Sequence, residues 1–89
     1  MADEAAGPTP EDEVVAGLIE IWREVLEDGG LGADSDFTAS GGTSLAAVRI
    51  RSRVRDRLLL EVSLEQIFDH PAPAQLAGLL AAAAPVQAP

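Results

Sequence analysis

Apolar residues in this chain recur at three- and four-residue steps over separate stretches, and that spacing constrains the fold more than any other feature. Val14, Val15, Leu18, Ile19, Trp22, Val25 and Leu26 define one stripe, with Glu11, Glu13, Glu20 and Glu24 mostly outside it. Thr9 is placed to N-cap this first helix, Pro10 suits its first turn, and Asp12 completes a capping-box-like pair. The spacing predicts an end near Glu27, where Asp28-Gly29-Gly30 is a stop.

The second stretch reads two ways. Arg49 to Leu58 alternates polar and apolar residues as a half-buried strand does, but a strand would turn Ser52 and Asp56 inward. As a helix, Ala47, Ile50, Val54 and Leu58 share one face with no polar intruder, and the Arg and Ala content favours helix. Helix two is therefore read from Thr43-Ser44 to about Leu58. Ser63 opens a brief helix three, with Gln66 closing a capping box and Leu64, Ile67 and Phe68 facing inward. Asp69-His70-Pro71 ends it. Pro73 opens helix four, striped by Leu76, Leu79 and Leu80. The class is all-α.

Eighty-nine residues allow one small domain, and 47% hydrophobic content is enough for a core. The only aromatics, Trp22, Phe37 and Phe68, are each expected to anchor it. Residues 1–8 are small, acidic and patternless and are read as a disordered tail; residues 84–89 read as a tail or linker. The absence of Cys excludes disulfides and thiolate metal sites and fits a cytoplasmic protein. The start of the chain lacks the apolar run of a signal peptide, and no stretch is long enough to span a bilayer. The net charge of −9 is unevenly placed. Residues 44–58 hold five Arg and one Asp, while the remainder holds Arg23 against fourteen acids. A basic helix on an acidic body sets up an oriented field for docking partners.

Between helices one and two runs a long, glycine-rich loop, of a length that is usually functional in compact domains. Leu31 and Phe37 are its expected tethers to the core. It ends in Gly41-Gly42-Thr43-Ser44-Leu45 at the start of helix two. Backbone N–H groups are unpaired there and the helix dipole is positive, which favours a phosphate ester on the Ser44 hydroxyl. Gly41 and Gly42 leave room for a partner to approach. Ser44 is thus read as a covalent attachment point that shares in capping the helix. Leu45 and Val48 fall off the core face, beside Arg49 and Ser52, and form a candidate docking patch; the alternative tucks them under the preceding loop.

Other uses of these residues are weaker. A nucleophile elbow needs Gly-x-Ser-x-Gly, but position 46 is Ala and no strand precedes Ser44. The single His, His70, reads as a helix terminator. Asp34 and Asp36 lack the further ligands of a calcium loop and read as solvated carboxylates or a turn cap. Nucleic-acid binding is opposed by the net charge and the lack of spare aromatics. Neither catalytic nor metal-binding residues are assigned.

On these residues the chain resembles the phosphopantetheine-dependent carrier proteins, and most closely the peptidyl carrier (thiolation) domains of nonribosomal peptide synthetases. Asp36-Phe37 followed by Gly41-Gly42-Thr43-Ser44-Leu45 is similar to the family's D-F-F-x-x-G-G-x-S-L. Leu64 through Ile67-Phe68-Asp69-His70-Pro71 to Leu76-Ala77 is similar to L-x-x-[IL]-F-x-x-P-T-x-x-x-L-A. Thr38 and Ser40 depart from the usual second Phe and Leu. Leu59 replaces the Gly that commonly ends helix two, and Ala72-Pro73 replaces Thr-Val.

The resemblance implies a right-handed four-helix bundle over residues 9–83, with helix three short. It implies that a phosphopantetheinyl transferase, using coenzyme A, esterifies Ser44 with 4′-phosphopantetheine. The arm's thiol then carries an aminoacyl, peptidyl or aryl thioester, and the carrier itself is non-catalytic. The implied partners are that transferase and adenylation, condensation, thioesterase or tailoring enzymes, met by a monomeric carrier. Fatty-acid-type carriers usually show Asp-Ser-Leu and an acidic helix two, so Thr-Ser-Leu with an Arg-rich helix favours the peptidyl branch. The alternatives are a polyketide-type acyl carrier and, from another class, an unmodified helical adaptor. The initiator Met and soft tails fit a free-standing carrier.

Overall fold

The computed structural model describes residues 10–83. The expected Thr9 cap and both tails, 1–8 and 84–89, lie outside the described residues. The described residues form a bundle of four α-helices with no strand: α1 (Pro10–Leu26), α2 (Ser44–Arg53), α3 (Leu64–Asp69) and α4 (Pro73–Ala83). A π-helical turn, Val54–Leu58, continues α2 without a break. Helix packing alone therefore buries the core, and α1 is the hub, contacting both α4 and α2.

Ala47, Ile50 and Val54 are fully buried, so the helical face of the second stretch is the one that packs. Leu58 follows them, half-buried, with its side chain over Gly17 of α1. A Cβ at Gly17 would come within 2.7 Å of Leu58 Cδ2, so the small residue lets these two elements close up. On α1 the buried residues are Leu18, Ile21 and Trp22. Ile21 was not part of the expected stripe, whereas Ile19 is only half-buried. Two partners, α2 and α4, flank α1, so its buried arc is displaced from the centre of the stripe read in sequence.

The helix ends differ in chemistry from the sequence reading. α1 stops because Glu27 takes the left-handed conformation (φ 56°), two residues ahead of Gly29-Gly30. Asp28 N–H then donates to the Arg23 carbonyl at 3.0 Å, satisfying the helix end as a Schellman turn does. The π-turn ends the same way, with Leu59 at φ 57°. α3 starts as expected: Ser63 Oγ accepts from Gln66 N–H at 3.0 Å, and Gln66 Oε1 accepts from Ser63 N–H at 2.9 Å. At α4 half of a capping box is present: Gln75 Oε1 accepts from Ala72 N–H at 3.3 Å, while Ala72 has no hydroxyl to return the bond.

Trp22 and Phe37 anchor the core, fully buried and edge-to-face with ring centroids 6.2 Å apart. Phe68 corrects the expectation of three buried aromatics. It packs edge-on against Phe37 at 5.5 Å but stays 38% exposed. One turn and a half of α3 buries one residue fully, Ile67, and Phe68 stands at the rim of that face.

Candidate functional site

The loop between α1 and α2 is held by hydrogen bonds to its own backbone as much as by apolar tethers. Arg23 Nε donates to the Leu31 carbonyl at 2.7 Å, and Ala74 N–H of α4 donates to the Ala33 carbonyl at 2.9 Å. The Pro71 carbonyl, between α3 and α4, accepts from both Phe37 N–H (2.8 Å) and Trp22 Nε1 (3.1 Å). One acceptor thus pins the loop and α1 to the second half of the chain. Leu31 and Phe37 are buried, as tethers should be.

From Phe37 the geometry passes to the helix start in a few residues. Asp36 Oδ1 accepts from Thr38 N–H (2.8 Å), Thr38 Oγ1 (2.5 Å) and Ala39 N–H (3.0 Å), closing a turn. The Thr38 hydroxyl first, and then the backbone N–H of Ala39, hold the Asp36 carboxyl below the usual carboxylate range. Gly42 N–H donates back to the Phe37 carbonyl at 2.8 Å. A Cβ at Gly42 would be driven into the Phe37 ring, so the ring sits where only glycine fits. Gly41 meets no such neighbour; its φ of +92° is the reason for glycine there.

Thr43, extended at φ −116° and ψ 175°, is the N-cap of α2. Its Oγ1 accepts from Ala46 N–H at 3.1 Å, and its carbonyl accepts from Ala47 N–H at 2.9 Å. This corrects the expectation that Ser44 shares in capping. Ser44 is already the first helical residue, and its neighbour's extended backbone is the one a cap requires. The Ser44 side chain is exposed, and its hydroxyl makes no hydrogen bond among the described residues. The N–H groups of Ser44 and Leu45 are likewise left over at the positive end of the helix. His70 ends α3 through its N–H to the Gln66 carbonyl, and among the described residues neither it nor an acid bonds Ser44.

Leu45 and Val48 stand out from the bundle, 60% and 45% exposed, rather than tucking under the loop. Arg49 beside them is exposed and Ser52 half-buried. The five arginines are not one set. Arg57 binds Glu24 of α1 through two hydrogen bonds, 2.9 and 2.5 Å, and Arg53 Nε lies 3.6 Å from the same carboxylate. The Arg57 hydrogen bonds foremost, with the charges of Arg57 and Arg53, lower the Glu24 pKa. Arg55 Nε reaches Asp56 only at 4.0 Å, and Arg49 and Arg51 make no ion pair among the described residues. Sequence reasoning did not single out Arg51 and Arg55, which share a cavity of about 270 Å³ with Val48 and Ser52. The signal was there: they lie seven and eleven residues beyond Ser44, on its own stripe of the helix.

A phosphodiester fits this site. Among the described residues the hydroxyl makes no hydrogen bond, to a carboxylate or otherwise, and the N–H groups of Ser44 and Leu45 are left over at the same helix start.

Comparison with known proteins places the chain in a family. The family model described as "Phosphopantetheine attachment site" matches residues 16–80. The chain belongs to that family. Within it, the similarity is to peptidyl carrier domains. A solved structure described as "Non Ribosomal PCP domain" superposes with a TM-score of 0.70 at 37% identity, over 82% of this chain and 91% of that one. N-(5-amino-5-carboxypentanoyl)-L-cysteinyl-D-valine synthase of Amycolatopsis lactamdurans is 39% identical over 67 residues, which is 75% of this chain and 2% of the synthase. A probable non-canonical nonribosomal peptide synthetase, CymA, of Salinispora arenicola is 42% identical over 72 residues, 81% of this chain and 1% of that protein. The chain thus spans one or two hundredths of the length of these relatives. Among the described residues no helix is long and apolar enough to cross a membrane.

Proposed function

We propose that Ser44 Oγ is the atom to which 4′-phosphopantetheine is joined, and that residues 9–83 form a cytoplasmic, non-catalytic peptidyl carrier around it. The observation that carries this reading is the division of labour at the helix start. Thr43 does the capping, and the hydroxyl of Ser44 is exposed with no competing bond among the described residues. In the transfer from coenzyme A, a transferase base takes the Ser44 proton and Oγ attacks the phosphorus bearing the pantetheine. The new O–P bond replaces the bond to 3′,5′-ADP, which leaves. Leu45 and Ser44 N–H groups stabilise the resulting phosphodiester charge.

When bound, the arm supplies a thiol that holds an aminoacyl, peptidyl or aryl group as a thioester. The protein's own contribution is positional. A rigid bundle and a glycine-lined approach present one flexible tether, so each transfer runs at up to about millimolar effective concentration. Exposed Leu45 and Val48, with Arg49 and Ser52, form the surface for the transferase and for adenylation, condensation, thioesterase or tailoring enzymes.

The test is intact mass after incubation with coenzyme A and a broad-specificity phosphopantetheinyl transferase. One phosphopantetheine should be gained, and Ser44→Ala should gain none. An unchanged mass with a transferase active on a control carrier rejects the assignment. Replacing Val48 with Asp should slow loading by the cognate adenylation enzyme about tenfold or more, on the scale of a charge placed in an apolar contact. Unchanged loading would remove the patch from the docking surface.

A further inference from the structure

Ser44, Val48, Arg51 and Arg55 follow one another at steps of four, three and four along α2 and into the π-turn. At about 100° per residue these positions stay within a strip roughly 60° wide. The π-turn does not carry Arg55 off that strip, since Arg55 lines the same cavity as Val48, Arg51 and Ser52. At about 1.5 Å per residue, Arg51 lies roughly 10 Å and Arg55 roughly 16 Å from Ser44 along the axis. The cavity is lined by one apolar residue, Val48, one hydroxyl residue, Ser52, and two arginines.

Among the described residues neither of those two guanidinium groups shares in the Glu24 pairing, and Arg49, which also makes no ion pair there, stands off their strip. Arg53 and Arg57, on the other side of the helix, are bound to Glu24. Arg51 makes no ion pair among the described residues, although Glu61 lines the neighbouring cavity beside it. Arg55 has Asp56 at 4.0 Å, a distance at the limit of an ion pair. On a chain of net charge −9, two arginines one helical turn apart, one with no ion pair among the described residues and the other with a carboxylate only at 4.0 Å, mark a place for an anion.

We infer that Arg51 and Arg55 bind the carboxylate of an acidic acyl group carried on the Ser44 arm, folding the loaded arm back along α2. This rests on Ser44 being the attachment point. The occupant is the chain's own cargo rather than an acidic partner surface for two reasons. The cavity is small, about 270 Å³, and it lies in line with the tether. Leu45 and Arg49 stand one step further round the helix, off that line, where a protein partner has freer access. Tethering supplies a local concentration that two exposed charge pairs could not match against a free anion. A carrier of this design shields an acidic thioester from premature transfer and passes it on when a partner draws the arm away.

The test compares two arms of equal carbon count. The full chain is loaded by a broad-specificity transferase from glutaryl-coenzyme A or from pentanoyl-coenzyme A, and loading is confirmed by intact mass. Amide and arginine Nε resonances are then compared by NMR. The glutaryl arm should shift Val48, Arg51, Ser52 and Arg55, and the pentanoyl arm should not. Arg51→Gln and Arg55→Gln should each lower the docked population about threefold, the scale of one exposed charge pair. In about 1 M NaCl, where the Debye length is about 3 Å, the shifts should collapse. Identical spectra for the two loaded forms overturn this inference and leave the attachment site standing. So does the finding that the Gln variants weaken only a complex with the loading enzyme, which assigns the pair to an acidic partner surface. A chain that accepts neither arm rejects the attachment reading itself, and this inference with it.

Discussion

A Cβ added at Gly42 would enter the Phe37 ring, whereas one added at Gly41 meets nothing within 4 Å. Adjacent glycines therefore answer to different physics. Gly42→Ala should destabilise by about 1–3 kcal/mol, the usual cost of overpacking a rigid aromatic. Gly41→Ala should cost about 1–2 kcal/mol through its φ of +92° alone. Urea unfolding separates the two accounts, because a Phe37→Leu background relieves the first penalty and not the second. Equal relief in both would refute the packing explanation. Ser44→Ala, by contrast, removes a hydroxyl with no bonded partner among the described residues and should change stability by less than about 0.5 kcal/mol while abolishing the proposed attachment. In the sequence both glycines read alike, as room for an approaching partner. The ring that distinguishes them arrives from five residues upstream, and no local pattern reports where a buried Phe will lie.

At the scale of elements, two helical segments end on residues that bear the left-handed conformation without being glycine: Glu27 at φ 56° and Leu59 at φ 57°. Leu59 is also 83% exposed, so its side chain contributes little packing in return. Leu59→Gly should raise stability by up to about 1 kcal/mol, the conformational cost of roughly 1–2 kcal/mol being partly offset by the greater freedom of glycine when unfolded. A higher melting temperature by calorimetry would show it; a lower one would mean that Leu59 packs in a way its exposure conceals. Positions such as these explain what the sequence could and could not disclose. The inward face of α2 was legible because Ala47, Ile50, Val54 and Leu58 keep helical spacing and nothing polar interrupts them. The π-turn at its end was not, since it coincides with contacts to another helix: Arg57 reaching Glu24, and Leu58 closing over Gly17. Phe68 was misread for a similar reason. Three apolar residues on a six-residue helix suggest a buried face, but the neighbouring helices cover only part of it.

The whole molecule is acidic, and two carboxylates with lowered pKa values among the described residues sit at the joints that hold the site in place. Asp36 caps the turn before Gly41-Gly42, and Glu24 ties α1 to the end of the second helical stretch. Both have folded-state pKa values below the ordinary one, Asp36 through the Thr38 hydroxyl and Glu24 through the Arg57 hydrogen bonds. The unfolded chain therefore binds more protons than the folded one as acid is added, and stability falls. The stabilisation is complete above the ordinary carboxylate range near pH 4 and is lost as pH drops through the lowered folded values. Protonation of the other acids works the opposite way on self-repulsion, because it relieves a net charge of −9. The two contributions are separable by substitution. Asp36→Asn keeps an oxygen that can accept from Thr38 and Ala39 but cannot titrate, so its urea midpoint should depend less steeply on pH below about pH 4 than that of the parent. Glu24→Gln should do the same for the α1 joint, and the double variant should sum the two effects, as distant sites do. If both variants keep the parent's acid slope, the carboxylates that govern acid unfolding lie elsewhere, and the loop that positions Ser44 is not the part of the fold that acid releases first.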